Sequence, residues 1–126
     1  MVEAPSLIRA SIVRNVGWLD FSRPPVNAFN YQMVEETRDT IAAALADPEI
    51  RVIVLGSAVD SYFSAGADLK VFKGMTGVGM RNWALLTHEI VRLLRSSPKP
   101  LLAAIHGTAV GGVIAARAGN AVTSLM

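Results

Sequence analysis

Apolar and polar positions change period several times along the chain, and each change marks an element. Residues 7–13, LIRASIV, alternate, with Leu7, Arg9 and Ser11 on one side and Ile8, Ala10 and Ile12 on the other, and VGWLDF follows. Polar Arg14 and Asn15 separate these two runs, which predicts a β-hairpin. The next segment, SRPPVNAFN, carries adjacent prolines and two asparagines, a composition that favours extended and turn backbone and predicts a loop. From Tyr31 the period becomes helical: Met33, Val34, Thr37, Ile41, Ala44 and Leu45 recur on one face, opposite Glu35, Glu36, Arg38 and Asp39. Asn30 is placed to cap this helix, and Asp47-Pro48 ends it.

RVIVLGS is a short β-branched run bounded by charge and glycine, the pattern of a strand buried on both faces in a parallel sheet. After a loop, SAGADLK opens a short helix near Asp68. A longer helix is expected from about Gly79 to Arg95, burying Trp83, Leu86, Ile90, Val91 and Leu94 and presenting Arg81, Glu89, Arg92 and Arg95 to water. Pro98 and Pro100 stop it, and LLAAI reads as a second buried strand. Alternating strands and helices predict an α/β layered fold.

Composition narrows the function. The 126 residues contain no cysteine, and 12 Lys+Arg stand against 10 Asp+Glu. A surplus of two charges makes no basic face for nucleic acid. The longest uncharged stretch, Pro100 to Ala116, includes His106 and three glycines and falls short of the ~20 apolar residues a membrane span needs. The opening MVEAPSLIR is charged and is not read as a secretory signal, so a cytoplasmic protein with no membrane partner is expected. Every acid lies at or before Glu89.

Two segments share one design: VIVLGSAVDSYFSAGADLK and LLAAIHGTAVGGVIAA each run from a strand through small residues into the start of a helix. Small residues let another molecule approach the backbone, and the first N–H groups of a helix point outward with partial positive charge. If the Ala67 and Gly112 amides converge on one carbonyl oxygen, they form an oxyanion hole. The alternative is that Gly66, Gly111 and Gly112 only make tight turns. GTAVGG lacks both the Lys-Ser/Thr of a P-loop and the G-x-G-x-x-G spacing, and no acid follows to hold a ribose, so dinucleotide binding is the weakest reading.

Taken together, SRPPVNAF, RVIVLGSAVDSYFSAGADLK and PKPLLAAIHGTAVGG, with the helices between them, resemble the crotonase, or enoyl-CoA hydratase/isomerase, superfamily from about Val16 to Gly112. The resemblance implies a spiral of ββα units, assembly into trimers or pairs of trimers, and an acyl-CoA substrate whose thioester enolate is held by two backbone N–H groups. Coenzyme A enters as part of the substrate, with no separate cofactor and no metal. Carried over by position, the oxyanion donors are Ala67 and Gly112. Ala65, Gly66, Asp68, Leu69 and Lys70 would wrap the CoA moiety, and the backbone near Val26 and Ala28 would touch it. Lys70, Lys73 and Arg23 would neutralise its phosphates.

The tail departs from the family pattern. Hydratases of the family continue GGG-x-E, whereas Gly112 is followed by Val113, Ile114 and Ala115, so the carboxylate position holds alanine, and a second family carboxylate would lie beyond Met126. The expectation is therefore an incomplete, N-terminal half of the spiral over residues 1–112 and a divergent tail over 113–126, truncated or frameshifted after Gly112. A chain of this kind is expected to be an acyl-CoA-binding enzyme fragment with little or no hydratase turnover, or a non-catalytic acyl-CoA-binding or interaction fragment. His106 reads as a loop anchor rather than a base, His88 as part of a solvated helix face, and Asp68 as a helix cap. Trp83 and Leu86 read first as core, with an acyl pocket as the alternative.

Overall fold

A computed structural model describes residues 6–111 and the backbone of Thr123–Ser124. The chain begins with the hairpin, β1 (Ile8–Val13) and β2 (Val16–Phe21), paired antiparallel. Arg14 and Asn15 both take positive φ, 50° and 65°. That is the two-residue turn whose twist matches the flanking strands. α1 (Tyr31–Ala46) follows the proline loop; the Asn30 side chain accepts from the Met33 N–H at its start. Its last carbonyls, Ala44 and Asp47, accept from the Lys99 ammonium at 2.8 Å each, which places a cation at the negative end of the helix.

β3 (Val52–Ser57) and β5 (Leu101–Ile105) extend the sheet in parallel from β2. Between them lie β4 (Tyr62–Ser64), α2 (Leu69–Phe72) and α3 (Gly77–Arg95). The long helix starts at Gly77 rather than near Gly79, because the Thr76 hydroxyl caps it by accepting from the Gly79 N–H. β6 (Thr108–Ala109) pairs in parallel with β4 as a separate two-stranded sheet, and β7 (Thr123–Ser124) pairs in parallel with β5 at Ala104–Ile105. The larger sheet therefore runs β1-β2-β3-β5-β7.

This arrangement corrects the expectation of a half-spiral that breaks off after Gly112. Thr123–Ser124, beyond Gly112, pair in parallel with the edge of β5 and extend the main sheet. The α/β, ββα character itself is as expected.

The core follows from register. Leu19, Leu55 and Ala103 form one cross-strand row, with Ile53 beside Leu101 in the next. All five are buried and face α1 and α3 through Met33, Ile41, Ala44 and Leu94. Burying a side chain such as Ile53 or Ile41 contributes roughly 1.5–3 kcal/mol. A smaller cluster of Val34, Trp83 and Leu86 joins the two helices, with the Phe72 ring edge-on to Trp83 at 5.3 Å. The second cluster anchors α2, through Val71 and Phe72, on α1 and α3.

Candidate active site

The two glycine loops meet. β4 and β6 place Tyr62 beside Thr108 and Ser64 beside Ala109, and the Val110 N–H continues the pairing by donating to the Ser64 carbonyl at 3.0 Å. Gly66 and Gly111 then pack so closely that a Cβ on Gly111 would sit 3.4 Å from the Gly66 Cα. The sequence-based site residues on the two loops are thus brought together as far as Gly111. Gly112, the second expected oxyanion donor, lies outside the described residues.

Three successive amides in the first loop have different fates. The Gly66 N–H donates to the Ser64 hydroxyl at 3.0 Å. The Asp68 N–H donates to the Phe29 carbonyl at 2.9 Å. Between them, the Ala67 N–H has no acceptor among the described residues. Its direction is fixed by the peptide unit that carries it, because the Gly66 carbonyl accepts from the Phe29 N–H at 2.8 Å. The peptide is trans, so its N–H points opposite to its C=O, away from Phe29. Gly66 itself sits at φ +85°, a left-handed conformation that suits a residue with no Cβ.

Ala67, Gly66, Val110 and Gly111 border a cavity of about 340 Å³ between the sheet and the helices α1 and α3. Its walls are otherwise apolar, from Phe21, Phe29 and Phe63 near the loops to Ile41 and Leu94. The Phe21 ring meets Phe29 and Phe63 edge-on at 5.2 and 5.5 Å. Two hydroxyls line the space, and each donates to its own helix: Thr37 to the Met33 carbonyl at 2.6 Å and Thr87 to the Ala84 carbonyl at 2.9 Å. No carboxylate or imidazole lines the cavity among the described residues. Trp83 lines it, whereas Leu86 packs outside it.

Asp68 caps α2 by accepting from the Lys70 N–H at 3.1 Å, and its other carboxylate oxygen pairs with Arg23 at 2.9 Å. The Arg23 guanidinium, and after it the Lys70 N–H, holds the Asp68 carboxyl below the usual carboxylate range. The same Arg23 nitrogen also donates to the Ala28 carbonyl at 2.6 Å. Arg23 is therefore a latch between the proline loop and the loop that carries Asp68. Lys70, Lys73 and Leu69 are exposed. The Val26 carbonyl accepts from the Ala65 N–H at 3.0 Å.

Sequence reasoning missed Asn27 and Ser64, both fully buried. The Asn27 Nδ2 lies 2.8 Å from the Ser57 hydroxyl and 3.1 Å from the Phe63 carbonyl, and its Oδ1 accepts from the Arg23 N–H at 2.8 Å. The Ser64 hydroxyl donates to the Asn27 carbonyl at 2.8 Å. A single polar residue in a loop or at the end of a three-residue strand carries no periodicity to signal burial; for Ser64, adjacency to the AGAD run was the only hint. His106 anchors its loop, with Nε2 3.1 Å from the Val59 carbonyl. His88 is exposed.

Known proteins resemble this chain in sequence and in fold. A probable enoyl-CoA hydratase of Bacillus subtilis is 32% identical over 108 residues, covering 83% of this chain and 41% of the relative. The crotonyl-CoA hydratase of Syntrophomonas wolfei is 30% identical over 95 residues, 75% of this chain and 36% of the relative. An enoyl-CoA hydratase/carnithine racemase of Magnetospirillum magneticum superimposes with a TM-score of 0.86 at 25% identity, over 96% of this chain and 47% of that structure. The chain thus spans less than half the length of these proteins. The family model for enoyl-CoA hydratase/isomerase matches residues 11–116. That match runs past Gly112, and the structural likeness takes in nearly all of the chain, which overturns the expectation of a truncated or frameshifted tail beginning there. With the paired loops, the sheet order and a match over most of its length, the chain belongs to the enoyl-CoA hydratase/isomerase family.

Proposed function

We propose that this chain binds acyl-CoA thioesters, with the acyl group in the 340 Å³ cavity and the thioester oxygen at the Ala67 N–H. The observation that carries this reading is the lone amide: its two neighbours are committed to protein acceptors, and Ala67 itself borders an apolar cavity. A donor held there before the substrate arrives stabilises charge that develops on the oxygen as an α-proton leaves. Gly112 is the second donor in this reading, one residue beyond the Gly111 that packs on Gly66. Ala65, Gly66, Asp68, Leu69, Lys70, Val26 and Ala28 flank the CoA moiety, with Lys70 and Lys73 available to its phosphates. Self-assembly into trimers or pairs of trimers belongs to the same reading, and sedimentation measures it.

The reaction class is that of an enoyl-CoA hydratase or isomerase, in which the enolate is common and the acid–base groups select the outcome. One observation favours a second reading, a non-catalytic acyl-CoA binder: no carboxylate lines the cavity among the described residues, and the acid nearest the Ala67 amide in sequence, Asp68, is held by Arg23. Calorimetric titration with butyryl-CoA and free CoA tests binding, and crotonyl-CoA hydration tests turnover. The proposal expects the thioester to bind more tightly than CoA, with negligible hydration. Equal affinity for the two would remove the acyl cavity from the account.

A further inference from the structure

Gly66 is gripped at both ends: its carbonyl by the Phe29 N–H at 2.8 Å and its N–H by the Ser64 hydroxyl at 3.0 Å. The first grip is main chain to main chain. The second depends on a side chain, so it is the half of the clamp that sequence controls. Ser64 is fully buried, and its hydroxyl uses both capacities, donating to the Asn27 carbonyl at 2.8 Å while accepting from Gly66. Asn27 is itself immobilised in a left-handed conformation, φ 51°, by its side-chain bonds to Ser57, Phe63 and the Arg23 N–H. A continuous chain of bonds therefore runs from the proline loop through one hydroxyl to the residue preceding the Ala67 amide.

We propose that Ser64 is a positioning residue for the Ala67 donor: from a buried seat on Asn27 it holds the Gly66 N–H, and so backs the Phe29 grip on the carbonyl of the peptide that carries the Ala67 amide. The inference rests on the reading of Ala67 as the thioester-oxygen donor. An oxyanion donor works only within about 2.7–3.1 Å of the oxygen it serves, and a Gly66 held by its carbonyl alone can rock about the Phe29 bond. Ser64 touches neither substrate nor reacting atoms in this scheme; it acts through Gly66.

The test measures the infrared carbonyl stretch of bound butyryl-CoA, labelled with 13C at the thioester carbon, alongside the affinity for free CoA. Wild type shows a downshifted stretch because the oxygen accepts a hydrogen bond. Ser64→Ala loses a measurable part of that downshift while its affinity for free CoA, which has no acyl carbonyl, stays unchanged. Ser64→Cys, with a weaker acceptor and donor in the same place, gives an intermediate downshift, and it decides the matter alone if Ser64→Ala does not fold. A folded Ser64→Ala, or failing that Ser64→Cys, with the full wild-type downshift overturns the positioning role and leaves the donor reading intact. A wild-type protein that binds butyryl-CoA with no downshift overturns both.

Discussion

The two glycine loops reach the same cavity mouth by opposite means. The loop over residues 64–68 is shaped by hydrogen bonds: Ser64, Phe29 and Arg23 hold Gly66, Asp68 and the peptide between them. The loop over residues 107–111 is shaped by missing atoms. Gly107 sits at φ +66° directly against the Ser61 backbone, where a Cβ would overlap the Ser61 carbonyl, and Gly111 lies on Gly66. One loop is therefore sensitive to the loss of polar groups and the other to the gain of a methyl. In the proposed function a backbone donor needs both, the first loop to aim the amide and the second to let its wall approach without side chains.

The largest effect expected from this contrast is at Gly107. Gly107→Ala combines left-handed strain of ~1–2 kcal/mol with overpacking against main chain that cannot swing aside, for a total of about 3 kcal/mol or more. Urea denaturation measures it, and a loss below 1 kcal/mol, on the scale of an ordinary surface substitution, would show that the second loop is not built on steric absence. Gly66→Ala comes next. Its Cβ would meet the Val110 carbonyl at 3.4 Å, an adjustable contact, so the cost is mainly the ~1–2 kcal/mol of left-handed strain. The butyryl-CoA carbonyl downshift should fall with it.

Asp68→Asn gives a smaller and pH-dependent effect. The Asp68 carboxyl is held low in the fold by Arg23, so the stability it contributes is present above the ordinary carboxylate value and is lost as pH falls through the depressed one. Asp68→Asn should melt below wild type near neutrality, and the difference should close below about pH 4. A difference unchanged by acid would mean that the latch is not ionic. The smallest effect is at Asp20, where the two devices meet: its side chain occupies the space over Gly56, where a Cβ would overlap Asp20 Oδ1. Burial pushes this carboxyl up despite Arg9 opposite it. The fold therefore disfavours the charge, and Asp20→Asn should raise Tm slightly at neutral pH, with the gain vanishing on acidification.

What could be read from the sequence follows the same division. The Arg14-Asn15 turn, the Asn30 cap, the Asp47-Pro48 stop and the apolar runs of β3 and β5 are local signals with local causes, and they appear where expected. β4 and β6, three and two residues long, are too short to display a period. The Arg23–Asp68 pair spans 45 positions in sequence and the Lys99 cap of α1 spans 55 to Ala44, so neither leaves a local trace. The return of Thr123–Ser124 to β5 was missed because a tail of small residues shows neither alternation nor helical spacing.

The central claim is that the Ala67 amide points at a thioester oxygen. Its most direct test is the proton chemical shift of that amide, followed by nitrogen-15 correlation spectroscopy as butyryl-CoA is added, and compared with the S-butyl thioether of CoA, which lacks the carbonyl. The account predicts a downfield movement of the Ala67 amide proton with the thioester and none of comparable size with the thioether. Equal movement with both ligands, or none with a bound thioester, would contradict it.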